Sequence, residues 1–188
     1  LVNSLRRTRI LEIQSLTEQK RIIDENASRR NELNASTYGQ AAELLGSEHA
    51  ATRIAASHTL EALIRSSRTL LDDDTFLAIQ CAEALASHAR LRSSQIKAKY
   101  EDDEAEVKGL FIVEGEENIE IRNAFKIVSR SLPEEMRALS KFDDRIDFSK
   151  CNLAHLMVPV GSDLRGFNLN GSNFAKSYLG IIPLRQVC

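Results

Sequence analysis

The sequence predicts an α+β fold, in which a region of HEAT-like antiparallel helices precedes a short solenoid. Apolar residues recur at helical spacing over much of residues 34–131. A five-residue period begins near residue 145, and fixed short periods are typical of solenoids. We therefore expect a linker or juxtamembrane helix at 1–33, a helical block at 34–140 with an acidic linker at 101–117, repeats at 141–180 and a tail at 181–188.

Composition limits the classes of function. The chain has 188 residues, of which 43% are hydrophobic and 28% charged, enough for one packed domain or two small ones. Its net charge of −2 argues against a dedicated nucleic-acid binder, whose domain is normally basic. Trp is absent and aromatic residues make up 5%, which is lean for a ligand pocket. No apolar run reaches the ~18 residues that a membrane-spanning helix needs.

The three cysteines are odd in number and far apart. Cys81, Cys151 and Cys188 include no C-x-x-C pair, which argues against a disulfide framework or a zinc site. We expect reduced thiols in a cytoplasmic setting. The repeat pattern places Cys151 at an inward position, where a small apolar side chain serves as core rather than as a nucleophile.

The first 33 residues are polar and helix-prone. Leu5, Leu11, Leu16 and Ile23 recur at helical spacing, but too loosely for sustained heptads. One interpretation is an exposed linker helix. The alternative is a juxtamembrane or oligomerising helix.

Residues 34–92 predict three helices. A first apolar run ends at Gly46, a residue type common after a helix C-terminus, and Ser47 can cap the second helix. Asp72–Asp74 favour the start of the third, since acids stabilise a helix N-terminus. A cation site at these acids is the alternative, although they lack the spacing of a calcium loop. The acidic stretch that follows predicts a solvated linker or, alternatively, a docking strip for a basic partner.

Helical spacing resumes at residues 118–131, just before the repeats. A short repeat stack cannot bury its own open end and needs a cap. We expect the apolar face at Phe125 and Val128 to cover the repeats, so that helix and repeats form one unit.

From residue 145 onward the chain divides into blocks of five, with Gly161 as one extra residue. Every block has an apolar centre, and Asp or Asn precedes the centre in five blocks. Neither an α-helix nor a strand has this period. The expected repeat core consists of Phe148, Leu153, Val158, Leu164, Leu169, Phe174 and Leu179.

This pattern resembles the pentapeptide repeat family, with a small or apolar residue two before each centre, as at Cys151 and Ser172. The resemblance implies a right-handed, four-sided parallel β-helix. The preceding segment resembles the HEAT-like helical block of a bacterial subgroup, many members of which carry membrane spans ahead of it. The resemblance thus implies a bacterial cytoplasmic location at the inner membrane, with a span before Leu1. Arg6, Arg7 and Arg9 agree with the excess of cations at cytoplasmic flanks of spans.

No motif for chemistry is found in the sequence. His49, His58, His88 and His155 form no H-E-x-x-H pair, and neither a P-loop nor G-x-S-x-G occurs. We expect a partly buried structural role for His58 and solvent exposure for His155. We therefore predict no enzyme activity and no catalytic, cofactor-binding or metal-binding residue.

The predicted function is that of a non-catalytic protein–protein interaction or scaffold module of a larger membrane-associated protein, with an unidentified protein partner and no direct nucleic-acid contact. We also expect a homo-oligomer, with contacts from the tail at 181–184 or from the N-terminal helix. The alternative is a DNA-mimicking regulator of a topoisomerase or other nucleic-acid enzyme. A DNA mimic should be acidic, whereas residues 145–181 have more basic than acidic side chains.

Overall fold

The computed structural model describes residues 2–67, 73–102, 118–132, 146–158, 162, 164 and 166–178. The chain divides into two compact units, residues 1–39 and 40–188. The described elements are helices α1 (Val2–Leu45), α2 (Ala50–Ser67), α3 (Asp73–Asp102) and α4 (Ile119–Ser131), and strands β1 (Ile146–Asp147) and β2 (Phe167–Asn168).

Helices α2, α3 and α4 form a three-helix cluster, since each of them contacts the other two. The helical region predicted here is confirmed; its HEAT-like stacking stays a prediction, because three helices make fewer than two helix-pair repeats. Small side chains let the three helices approach closely, and larger aliphatic ones fill the space between them. The buried side chains of this core include Ala56, Leu60, Ile64, Ala82, Leu85, Ala89, Ile121, Ala124 and Ile127.

The predicted helix boundaries near residue 46 are close to the observed ones. Helix α1 ends at Leu45, and the Gly46 amide donates to the carbonyl of Glu43 at 2.9 Å. Ser47 is not the N-cap, because α2 begins only at Ala50. Its hydroxyl instead accepts a hydrogen bond from the amide of residue 49 at 3.2 Å, which forms a turn ahead of the helix.

The predicted β-helix is wrong. The described part of residues 146–178 contains only two-residue strands, β1 and β2, which pair in parallel with Ile146 opposite Phe167. Two isolated parallel bridges follow, at Asn152–Asn173 and at Met157–Tyr178. Helices dominate the described residues. In the described residues the parallel pairing joins two stretches of the chain, the first pass (146–158) and the second pass (166–178), which together we name the paired segment.

The five-residue period persists as turns rather than as sheet. Backbone φ is positive at Lys150 and His155 in the first pass and at Gly166, Gly171 and Lys176 in the second, always five residues apart. A turn at every fifth residue leaves no length for longer strands. With two described passes, each strand has one parallel neighbour, so the extended ladders of a β-helix do not form.

Most of the described apolar block centres are buried. Phe148, Leu153, Val158 and Leu164 are buried. Leu169 and Phe174 are half-buried, and Leu179 lies outside the described residues.

The ring of Phe125 on α4 lies 5.0 Å from that of Phe148, 5.7 Å from Phe167 and 6.5 Å from Phe174, in each case edge to face. The predicted contact between this helix and the repeats is confirmed. The core is thus shared with a helix instead of being enclosed by the paired segment alone.

Candidate functional site

A buried ion pair joins α2 to α4. The Arg53 guanidinium donates two hydrogen bonds of 2.7 Å to the two carboxylate oxygens of Glu120. These side chains are only 8% and 5% exposed, so water does not screen the pair. Arg53 also donates to the carbonyls of Ser47 and Glu48 at 2.6 and 2.7 Å, which anchors the start of α2. Such a bidentate, fully bonded arrangement fixes the positions of both helices.

Helix α3 adds two more side chains around the same carboxylate. His88 Nε2 lies 3.3 Å and Arg92 Nε 3.5 Å from Glu120 Oε2. Burial by itself raises the pKa of Glu120, but the hydrogen bonds and charge of Arg53, with Arg92 and His88, outweigh it and leave the pKa below its ordinary value. Burial lowers the pKa of His88, and this effect exceeds the opposing effect of Glu120.

Acid should destabilise the protein through these two groups. The unfolded chain binds a proton on His88 more readily than the folded chain does, so stability falls as pH drops below the ordinary histidine pKa of 6.5. Glu120, with a lowered pKa, adds a further loss as pH falls below 4.5. We expect urea midpoints to decrease from pH 7 to pH 5.5 and the decrease to be smaller in His88→Gln. An equal decrease of the urea midpoint in His88→Gln and in the unmodified chain would contradict this assignment.

A second acid, Glu61, also links α2 to α4. Its carboxylate accepts from Arg130 of α4 at 2.8 Å and pairs with Arg65 at 2.6 Å. Burial raises its pKa, but hydrogen bonding to His58 and the charges of Arg130 and Arg65 bring the pKa below its ordinary value. Glu61 therefore stays ionised at neutral pH and holds α4 on α2.

Helix α3 also holds the first pass of the paired segment. Arg90 forms an ion pair with Asp147 of β1. The Ser93 hydroxyl accepts a hydrogen bond from the backbone amide of Asn152 at 3.0 Å.

Four of the polar residues that precede block centres contact one another in pairs across the two passes. The Asn168 amide donates to Asp147 at 3.0 Å, and Asn173 donates to Asn152 at 3.2 Å. These four Asp and Asn residues of the repeat pattern are therefore structural.

The histidines and cysteines singled out in the sequence differ in burial. The prediction of a partly buried His58 is wrong, since its side chain is 54% exposed. His155 is half-buried, not exposed as predicted. Cys151 is buried as predicted, and burial raises the pKa of its thiol to about 11 and that of Cys81 to about 12. Among the described residues, no group of three metal-binding side chains comes together. The acid Asp72 and the side chains of Asp73 and Asp74 lie outside the described residues.

Sequence reasoning missed Arg53 and Glu120. Arg53 lies on the face of α2 that also carries Ser57, Leu60 and Ile64, at intervals of three or four residues. A charged residue on an apolar helix face indicates a buried partner, and this signal was present in the sequence. The partner is 67 residues away, and nothing in the local pattern of the acidic stretch distinguishes Glu120.

The surface best suited to binding lies in the N-terminal unit. Every side chain from residue 11 to residue 33 is exposed. Six of these side chains are large aliphatic groups, namely Leu11, Ile13, Leu16, Ile22, Ile23 and Leu33. Ile13, Leu16 and Ile23 are 57%, 65% and 66% exposed. Since successive helical residues are about 100° apart, these three lie within a stripe about 80° wide. We call this stripe the N-terminal aliphatic face.

Charged pairs occupy the opposite side of the same helix. Arg21 bonds Glu18 at 2.7 Å, and Arg29 bonds Glu25 at 2.6 Å. Successive residues are about 100° apart around the helix axis, so these four side chains lie on average on the side opposite the N-terminal aliphatic face. Over this stretch the ion pairs therefore lie away from the N-terminal aliphatic face, and neither side is covered. Leu11, Ile22 and Leu33 form a second stripe, which borders the charged pairs.

Comparison with known proteins adds no relative. No protein-family model, no curated protein and no solved structure matches this chain. The resemblance to pentapeptide repeat proteins thus stays a prediction based on the repeat residues. In the part of the chain that the structure describes, no helix is both long and apolar enough to cross a membrane.

Proposed function

We propose that this chain is a non-catalytic protein–protein interaction module that self-associates through the N-terminal aliphatic face. The observation that carries the proposal is the uncovered aliphatic stripe of Ile13, Leu16 and Ile23 on a helix with ion pairs on its other side. Helices in proteins gain most of their stability by packing an apolar face against something else. This stretch of α1 therefore fits a helical partner.

A second copy of the same helix is the partner that the face fits best. Two such stripes bury each other while the charged pairs stay in water. Lys20 lies within the stripe by helical position, and a long side chain there can cover apolar surface while its ammonium group stays solvated. Full burial of one Leu or Ile side chain contributes about 1.5–3 kcal/mol, and three such side chains from each copy become buried together on association. We accordingly propose the N-terminal helix, rather than the tail, as the contact of the homo-oligomer.

The rest of the chain supports a scaffold role. Helices α2–α4 and the paired segment are held rigidly by the Glu120 and Glu61 ion pairs and by the contacts of Phe125. The thiols of Cys81 and Cys151 are buried, free and raised in pKa, which makes them poor nucleophiles. Free buried thiols are typical of a reducing compartment, and we propose the bacterial cytoplasm as the location.

We expect light scattering across a dilution series to give the mass of a dimer or higher oligomer. The double variant Leu16→Gln with Ile23→Gln should give the monomer mass, because it removes the aliphatic groups that become buried on association.

The matched control is Leu11→Gln with Leu33→Gln, which removes two exposed leucines from the stripe beside the charged pairs. This control should remain oligomeric. A monomer mass for the unmodified chain at every concentration would overturn the proposal, and dissociation of the control alone would move the contact to the other stripe.

A further inference from the structure

The second pass of the paired segment has one edge that the first pass occupies. The amides of Phe148, Lys150 and Leu153 in the first pass donate to carbonyls of the second pass at 2.9, 2.9 and 2.8 Å. A strand in parallel pairing directs its backbone groups alternately to its two edges. The second pass therefore directs other amides away from the first pass.

These outward amides belong to Leu169, Gly171 and Phe174, and we name this side of the second pass the open edge. The register places Ile146 opposite Phe167, so the three residues are the counterparts of the three donors in the first pass. Among the residues that the structure describes, none accepts a hydrogen bond from these amides. The open edge thus repeats the donor spacing with which the first pass already binds an extended chain.

Apolar side chains lie beside the unpaired amides. Leu169 and Phe174 are block centres of the second pass and are half-buried, whereas their counterparts Phe148 and Leu153 in the first pass are buried. No further strand in the described part of the chain pairs with the second pass. A strand that paired with the open edge would cover both the donors and these two side chains.

A side-chain acceptor completes the pattern of the open edge. At the matching position of the first pass, Asp147 Oδ1 accepts from the Ser149 amide at 2.9 Å and from the Asn168 side chain at 3.0 Å. Asn168 Oδ1 accepts from the Asn170 amide at 3.2 Å, and the described residues provide no second donor to it. An asparagine of an added strand would supply that donor, as Asn168 does for Asp147.

We propose that the open edge binds an extended segment of a partner protein, which adds to the second pass as a parallel strand. The inference rests on the interaction function proposed above but concerns a surface other than the N-terminal aliphatic face. Exposed strand edges bind extended peptides through main-chain hydrogen bonds, and side-chain positions give specificity. The segment offers carbonyls to the three amides, an asparagine to Asn168 and apolar side chains to Leu169 and Phe174.

A separate segment fits the open edge better than a second copy of the chain does. The carbonyls of this chain that match the donor spacing belong to Asn168, Asn170 and Asn173, and all three are already bonded to the first pass. Another copy could offer these carbonyls only if it gave up its own pairing. A segment without such internal pairing meets no such loss.

Fluorescence anisotropy with the full chain tests the proposal. The probe is a fluorescein-labelled peptide with the sequence of residues 166–178, because this sequence already satisfies the same donor spacing within the chain. The comparison peptide has serine in place of the leucine and the phenylalanine at the two block centres. We expect saturable binding of the first peptide and binding at least tenfold weaker for the second.

Leu169→Lys should weaken binding of the first peptide at least tenfold, because a lysine on an edge strand opposes strand addition. The matched control is Met157→Lys, which places the same charge at a 66% exposed position of the first pass and should bind the peptide as the unmodified chain does. Light scattering on Leu169→Lys should give the mass of the unmodified chain. A loss of the oligomer in this variant would overturn the proposal in favour of a second copy at the open edge.

Hydrogen exchange on the unmodified chain keeps the test valid if Leu169→Lys fails to fold. The amides of Leu169, Gly171 and Phe174 should exchange rapidly in the free chain and at least tenfold more slowly with saturating peptide. The bonded amide of Phe148 should be protected in both states. Protection of the three amides in the free chain would overturn the proposal, as would equal binding of the two peptides or an unchanged affinity in Leu169→Lys. None of these results bears on self-association through the N-terminal aliphatic face.

Discussion

Glu120→Gln will lower the free energy of unfolding by about 3–5 kcal/mol, because it leaves the Arg53 guanidinium charged in a site that excludes water. The side chains of Arg53 and Glu120 are 8% and 5% exposed. Their two hydrogen bonds join α2 to α4. Native domains of this size are stable by only about 5–15 kcal/mol, so one substitution removes a large share. Urea denaturation followed by circular dichroism measures the loss.

The chain offers a matched control for this substitution. Glu25→Gln breaks the exposed ion pair between Glu25 and Arg29. The side chain of Glu25 is 46% exposed and that of Arg29 is 73% exposed. Exposed pairs at this helical spacing contribute about 0.3–0.5 kcal/mol, so the control should be close to the unmodified chain. The double variant Arg53→Met with Glu120→Leu should be less destabilised than Glu120→Gln, since it removes the buried charge of Arg53 and leaves only the more exposed Arg92 without its acid. Equal losses for Glu120→Gln and Glu25→Gln would show that the buried pair does not hold the helices.

Phe125→Ala will lower the free energy of unfolding by about 3–5 kcal/mol through loss of a large buried side chain. The ring of Phe125 contacts three phenylalanine rings of the paired segment, and each edge-to-face contact adds about 0.5–1.5 kcal/mol. The paired segment should therefore lose protection together with α4. We expect Phe125→Asp to unfold both, since a carboxylate in this core has no partner.

Hydrogen exchange reports this coupling directly. The amides of Phe148 and Leu153 donate to the carbonyls of Asn168 and Asn173 at 2.9 and 2.8 Å. In Phe125→Ala these amides should exchange faster, in step with the amides of α4. Phe76→Ala is the control, because this ring is 67% exposed and its loss should change stability by less than about 0.5 kcal/mol. Unchanged exchange at Phe148 in Phe125→Ala would show that the paired segment is stable without the helix.

The helices could be predicted from the sequence because their apolar spacing is local. The end of α1 next to Gly46 and the helix around Phe125 follow from patterns that are a few residues long. The contact between Phe125 and the block centres was also predictable, because an open repeat end and an apolar helix face are adjacent in the chain.

The strand content could not be predicted in this way. A five-residue period sets the positions of turns, as at Lys150 and His155, but the extent of sheet depends on how many passes pair side by side. In the described residues two passes pair, and the ring of Phe125 packs against a phenylalanine ring of the first pass. The arrangement of α2, α3 and α4 as a mutual cluster likewise depends on contacts between distant residues, such as Arg53 with Glu120.

The candidate site was only partly predictable. The exposed aliphatic residues of α1, including Leu16 and Ile23, were recognised as loosely helical in spacing, and an oligomerising helix was one of the two interpretations. Three of them, Ile13, Leu16 and Ile23, lie on the side opposite the ion pairs of Arg21 and Arg29, whereas the other exposed aliphatic residues border those pairs. Exposure itself is a property of the folded chain, and the pattern of residues does not determine it.

Cysteine cross-linking tests the proposed self-association most directly. In a Cys188→Ser background, Lys20→Cys places a thiol within the N-terminal aliphatic face, whereas Glu18→Cys places one on the opposite side; Cys81 and Cys151 are buried. Under mild oxidation we expect Lys20→Cys to form disulfide-linked dimers at low micromolar concentration and Glu18→Cys to form few. Equal cross-linking of the two variants, or none by Lys20→Cys, would contradict self-association through this face.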